Sequence, residues 1–198
     1  MTLPRISALA ALAASLNCSA GLMTYTDAIG DQFSSYKGMD ITAVDVSNTE
    51  STLTFKISLN GNPASVSGGA FLIAIDAGNG GAYDFNSMTR PVLLSGMDKF
   101  LEATIASASL SSYANGSWSQ QAAVPALSTD SSSITMTVNH FDLGISTTST
   151  IKFDVYTSFS AAQNGAFDAL SNPERTVNDW TSSYSSGDKF SIYTLTAV

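Results

Sequence analysis

Leu53, Phe55, Ile57 and Leu59 alternate with Thr54, Lys56 and Ser58 in the stretch TLTFKISL. Successive side chains of a strand point to opposite faces, so this pattern predicts a strand with one buried and one solvated side. The preceding run ITAVDVSN is also rich in β-branched residues, and the polar break SNTES lies between the two. Together they predict a β-hairpin over 41–59. Its first arm is out of step with itself. Ile41 sits in one phase, while Val44 and Val46 sit in the other. A phase change within a strand predicts a bulge, or a strand covered on both faces.

The same period recurs along the chain. FLIAI (71–75) is continuously apolar and ends at Asp76 and the glycines of DAGNGG. A short apolar run of this kind predicts a central strand buried on both sides. Further strands are expected at 92–94, 97–106, 133–139, 150–158 and 189–196, where Ile134, Met136 and Val138, or Ile151, Phe153 and Val155, alternate with polar residues. In YANGSW, Asn115 followed by Gly116 signals a two-residue turn. Helical periodicity is scarce. HFDLG (140–144) predicts one helical turn. DALSNPERTVNDW (168–180) predicts a second, with Pro173 near its start and Asp168 or Ser171 as cap. Many short strands and few helices predict an all-β fold, a two-sheet antiparallel β-sandwich of jelly-roll or immunoglobulin-like kind with one or two short helical turns.

The chain is long enough for one such domain, at 198 residues. Hydrophobic residues make up 44%, sufficient for a sizeable core, and charged residues only 12%, about half the usual share. The polar surface must therefore come from Ser, Thr, Asn and Gly. Acids outnumber bases 16 to 8, and no basic run exists. That balance excludes a phosphate-neutralising nucleic-acid footprint and disfavours an anionic membrane surface.

Residues 1–20 differ from the rest. Arg5 precedes an apolar stretch over 6–16, and Cys18, Ser19 and Ala20 follow. This is the layout of a secretory signal peptide cleaved after Ala20, with an apolar segment too short to span a bilayer. The expected organisation is a leader over 1–20 and a single sandwich domain over 21–198. The expected location is outside the cytoplasm: extracellular, cell-surface or periplasmic. Lipidation at Cys18 is the alternative, for which Ser15, Leu16 and Asn17 are a poor lead-in. Removal of the leader takes the one cysteine with it, so the core must stand without disulfides.

Residue types argue against catalysis. His140 is the single histidine, and no Gly-x-Ser-x-Gly elbow, zinc-ligand set or phosphate-binding loop is present. Most acids are aspartates near turns, where Asp bonds the local backbone. The expectation is a non-enzyme.

Several phrases occur in a particular order: TDAIGD, MDITAVDVSNTESTLTFKISLNG, FLIAIDAGNGG, RPVLLSGMDKF, IKFDVYTSF and DALSNP. In that order the chain resembles the DOMON-like group of β-sandwiches, which includes family 9 carbohydrate-binding modules and the C-terminal module of glucodextranase-type enzymes. The resemblance covers about residues 24–196. It implies a sandwich with a ligand cleft on one face, a sugar or in some branches haem as ligand, and in some members a structural calcium. Haem would need two axial ligands, for which His140 with Met39, Met88, Met97 or Met136 are the candidates; Met136 lies roughly 13 Å along the strand from His140, too far to bind opposite faces of one iron.

For a sugar, the candidate contacts are Tyr83, Tyr113 and Trp118, rings in or beside polar loops, together with Arg90. For calcium, which wants six to eight oxygen ligands, the resemblance implies Asp27 and Asp31, on a Gly-containing turn. Turn acids on a solvated edge would look the same, and no Asp-x-Asp-x-Asp spacing decides between the two. The expected function is an exported non-catalytic binding module for carbohydrate or a cell-surface glycan, with structural calcium. The alternative is a cell-surface or matrix structural protein without a small-molecule site.

Overall fold

In the computed structural model the alternating runs pair as hairpins, and the hairpins stack as two sheets. The structure describes residues 20–33, 35–81, 94–159, 166–171, 186 and 189–197. In chain order the strands are β1 (Ala20–Thr26), β2 (Ile41–Asn48), β3 (Thr52–Leu59), β4 (Gly69–Asp76), β5 (Lys99–Ala103) and β6 (Ala108–Ala114). They continue with β7 (Ser117–Gln120), β8 (Ala126–Thr129), β9 (Ser133–Asn139), β10 (Thr150–Phe159), β11 (Asp168–Ala169) and β12 (Ser191–Thr194). One sheet runs β1-β2-β3-β9-β8. The other runs β11-β10-β4-β5-β6-β7, with β12 also pairing β10. All described pairings are antiparallel. The expected all-β sandwich is therefore the observed one.

The hairpin behaves as its pattern requires. Leu53, Phe55 and Ile57 are fully buried, and Lys56 on the other face is exposed. The register with β2 slips between Ile41 and Ala43, which is the bulge that the phase change predicts. An extra residue there lets both Ile41 and Val44 reach the interior. β4 is covered on both sides. Phe71, Ile73 and Ile75 enter the core between the sheets, whereas Ala70, Leu72 and Ala74 enter a smaller cluster on the outer face of the second sheet. Across the main core, Phe153 of β10 meets Phe55 at 5.3 Å and Tyr25 at 5.1 Å, both edge-on. Twenty-six buried residues form this cluster, so the burial of apolar surface is the main stabilising term.

α1 (His140–Leu143) is the single turn expected from HFDLG, stopped by Gly144 in the left-handed region at φ 70°. Between β6 and β7, Asn115 at φ 53° and Gly116 at φ 81° form the expected two-residue turn. Of the helical turn expected within 168–180, residues 172–180 lie outside the described residues, and Asp168 does not serve as its cap. Asp168 and Ala169 instead pair with Thr157 and Tyr156 as β11, because the Asp168 carboxylate bonds the backbone of Ile41 rather than capping a helix. Residues 1–19 of the leader expected over 1–20, and 92–93 of the strand expected at 92–94, also lie outside the described residues. Among the described residues no helix is long and apolar enough to cross a membrane.

Candidate metal centre

Asp31, Asp40 and Asp168 meet from three chain segments and both sheets, with Asp27 beside them. Asp27 follows β1, held by a bond from its own amide to the Thr42 carbonyl at 3.1 Å. Asp31 lies in the crossover that leads from β1 towards β2. Asp40 comes after a 3-10 turn (Lys37–Met39) and immediately before β2. Asp168 sits on β11, in the other sheet. Oxygens of Asp31, Asp40 and Asp168 all lie within 4.8 Å of one another.

The backbone explains how the acids are held. Asp40 is fully buried, and its carboxylate accepts bonds from the Gly30 amide at 3.0 and 3.1 Å and from Asn60 Nδ2 at 2.8 Å. Gly30 has φ 91°, a conformation that favours glycine, and this turns its amide inward. Asp168 is 5% exposed. Its Oδ2 accepts the Ile41 amide at 2.5 Å and its Oδ1 the Ala169 amide at 2.9 Å. Asp27 Oδ1 accepts the Ala28 amide at 2.9 Å.

Those donors do not cover the acceptors. Asp27 Oδ2, Asp31 Oδ1 and Gln32 Oε1 are out of contact with solvent and have no hydrogen-bond partner. The charges that act most strongly on the group are carboxylates. Burial, and then Asp31, Asp154 and Asp40, push the Asp27 carboxyl up to about 7. Burial, and then Asp27 and Asp31, push Asp168 up to about 8. Asp31 is raised by burial and by Asp40. Several carboxylates in one low-dielectric place either keep protons or share a cation.

The donor chemistry fits calcium. Among the described residues the close set is all carboxylate oxygen, with no nitrogen or sulfur ligand. Ligand distances of 2.3–2.6 Å place opposite oxygens about 5 Å apart across one ion. The 4.8 Å span of Asp31, Asp40 and Asp168 is within that reach.

Of the two ligands expected from sequence, Asp31 is in the close group and Asp27 stands beside it. Asp40 and Asp168 were not expected as ligands. Asp168 is far from the others in the chain, so spacing could not reveal it. The available signal was an acid set between Phe167 and Ala169 in an apolar stretch.

A second group of acids lies at the end of β4. Asp98, fully buried, accepts the Ala77 amide at 3.1 Å and the Asn79 amide at 2.7 Å. Burial raises its carboxyl, while those two amides and Lys99 oppose the rise. Asp76 accepts the Gly78 amide at 3.0 Å and pairs with Lys152 at 3.5 Å.

The expected sugar contacts divide. Tyr113 and Trp118 face each other across the β6–β7 hairpin, with ring centroids 5.4 Å apart. Trp118 is half-buried, leans edge-on against Phe100 at 6.5 Å and packs on the outer-face cluster, with its indole nitrogen buried and unbonded. Tyr83 and Arg90 lie outside the described residues. His140 is 5% exposed, and neither ring nitrogen has a hydrogen-bond partner. Burial lowers its pKa, against a smaller opposing effect from the backbone of Thr52 and Glu50. No protein-family model matches the chain, and no curated protein matches it.

Proposed function

We propose that the chain is an exported, non-catalytic β-sandwich module that holds one structural calcium ion and binds carbohydrate. The observation that carries this reading is the surplus of buried acceptors: Asp27 and Asp31 each present a buried oxygen without a donor, and oxygens of Asp31, Asp40 and Asp168 lie within 4.8 Å of one another. A hard divalent cation satisfies all of them at once, and leaving them unsatisfied is costly. Asp27, Asp31, Asp40 and Asp168 hold the ion, and its charge offsets their mutual repulsion. The test is thermal melting of chelator-stripped protein with and without calcium. A rise in melting temperature supports the reading, and an unchanged curve at millimolar calcium sinks it.

The carbohydrate part rests on the sequence resemblance and on the Tyr113–Trp118 pair at a hairpin end. A ring face at such a place offers a stacking surface for a sugar. Retention on insoluble polysaccharides, lost in Tyr113→Ala, supports this part, and no retention on any of them counts against it. One observation favours the second reading, a surface structural protein without a small-molecule site. Trp118 already packs on Phe100 and so fills the outer core.

A further inference from the structure

We infer that the carboxylate junction is a calcium-operated clasp: the ion fastens the β1–β2 crossover to β11, while the sandwich itself stands without it. The inference rests on the calcium reading above and adds what the ion controls.

The ligands are distributed unevenly between strong and weak parts of the fold. Asp40 borders the β2–β3–β9 pairing, which is continuous over seven residue pairs between β3 and β9 and has a buried apolar face. That part needs no ion to remain folded. Asp27 and Asp31 belong to residues 27–33, which form no strand or helix. Their described backbone bonds to the rest of the protein are those from Asp27 to Thr42, from Phe33 to Phe167 at 2.6 Å, and from the Gly30 amide to the Asp40 carboxylate. Asp168 belongs to β11, a strand of two residues paired to Tyr156 and Thr157; bonds from the Phe167 amide to Thr157 and from the Leu170 amide to Val155 extend that pairing, and residues 166–170 are buried, so this side is the firm one. Segments with few backbone bonds open locally at a fraction of the global unfolding energy.

The weakly held crossover is tied to the firm β11 segment by the bond from the Phe33 amide to the Phe167 carbonyl and by two side-chain ties. One tie is apolar: Phe33 meets Phe167 at 5.8 Å, and Tyr36 meets it at 6.2 Å. The other is the acid group, where oxygens of Asp31 and Asp168 lie within 4.8 Å. Without a cation, the second tie is a repulsion between carboxylates in a place that excludes water. The orphaned oxygens of Asp27, Asp31 and Gln32 then gain most by opening to solvent, which moves the crossover but not β11, β3 or β9. With calcium bound, the same oxygens become ligands and the tie closes. The order of this end of the sandwich is thereby set by the calcium concentration around the protein.

Hydrogen–deuterium exchange of the full chain, read in calcium and in chelator, tests this. Peptides over 27–40 should exchange about tenfold faster or more in chelator, and those over 166–171 and from β3 and β9 should be unchanged. In Asp31→Asn, whose side chain is not fully buried and whose fold should survive, exchange over 27–40 should be fast in both conditions. Calorimetric titration with calcium alone separates the two ways to fail. No binding removes the calcium reading and the clasp with it. Binding with exchange that rises equally in every segment, or in none, overturns the clasp and leaves the calcium reading standing.

Discussion

The two buried aspartate groups look alike in sequence and differ in how they are satisfied. At the end of β4, Asp98 receives two backbone amides and has Lys99 beside it, and Asp76 has Lys152. Donors there match acceptors. At the β1–β2 crossover, Asp31, Asp40 and Asp168 converge with Asp27 beside them, and three buried oxygens of the crossover have no donor. Burial raises the carboxyl of Asp98 as it raises those of Asp27 and Asp168, so burial does not distinguish the groups. The balance of donors against acceptors does. A buried acid that closes a loop is a structural device, whereas a buried excess of acids is a cation site.

The largest expected effect breaks the satisfied side. Asp98→Ala orphans the amides of Ala77 and Asn79, at about 1–3 kcal/mol each. Denaturant melts should show that loss equally with and without calcium. A loss that calcium repairs would place an ion at Asp98 as well and dissolve the contrast.

Next comes the ion itself. Calcium at 100 times its dissociation constant should stabilise the parent by about 2.7 kcal/mol. Differential scanning calorimetry should show this shift in the parent and in Asp98→Ala. It should be absent in Asp168→Asn.

The pH response should separate the groups further. In the cation-free chain the carboxyls of Asp27 and Asp168 lie near 7 and 8, above the unfolded value of 3.8. Folding therefore favours their protonated forms. The resulting stability is full below about pH 4 and is lost as pH rises through 7 to 8. Chemical denaturation between pH 5 and 8 should show the cation-free chain weakening by on the order of 1 kcal/mol, since local opening limits the penalty. Saturating calcium should flatten that slope. His140 acts in the opposite sense: its depressed pKa adds stability above 6.5 that is lost on acidification.

The smallest expected effect lies at the hairpin. Tyr113→Ala should cost about 0.5–1.5 kcal/mol, the worth of one aromatic pair, and leave calcium binding unchanged. Loss of polysaccharide retention in the same variant would make the hairpin a binding surface rather than packing.

Much of the scaffold was legible because it depends on local pattern. The alternation of Leu53, Phe55 and Ile57, the doubly apolar β4 and the phase slip at Ile41 each report which face is buried. β1 and β8 were harder. AGLMTYT has no clean alternation and abuts the leader, and ALST is four residues long. The metal centre was half legible. Asp27 and Asp31 share a turn, but Asp168 joins them only through the pairing of β11 with β10 and the bond to Ile41. Convergence of that kind depends on topology, which a single sequence does not display.

Calorimetric titration of calcium into chelator-stripped protein is the most direct measurement. A calcium-held junction predicts one ion per chain, binding lost in Asp31→Asn and Asp168→Asn, and binding retained in Asp98→Ala. Absence of binding heat, with no calcium-dependent change in melting, or binding that survives both junction variants, would contradict it.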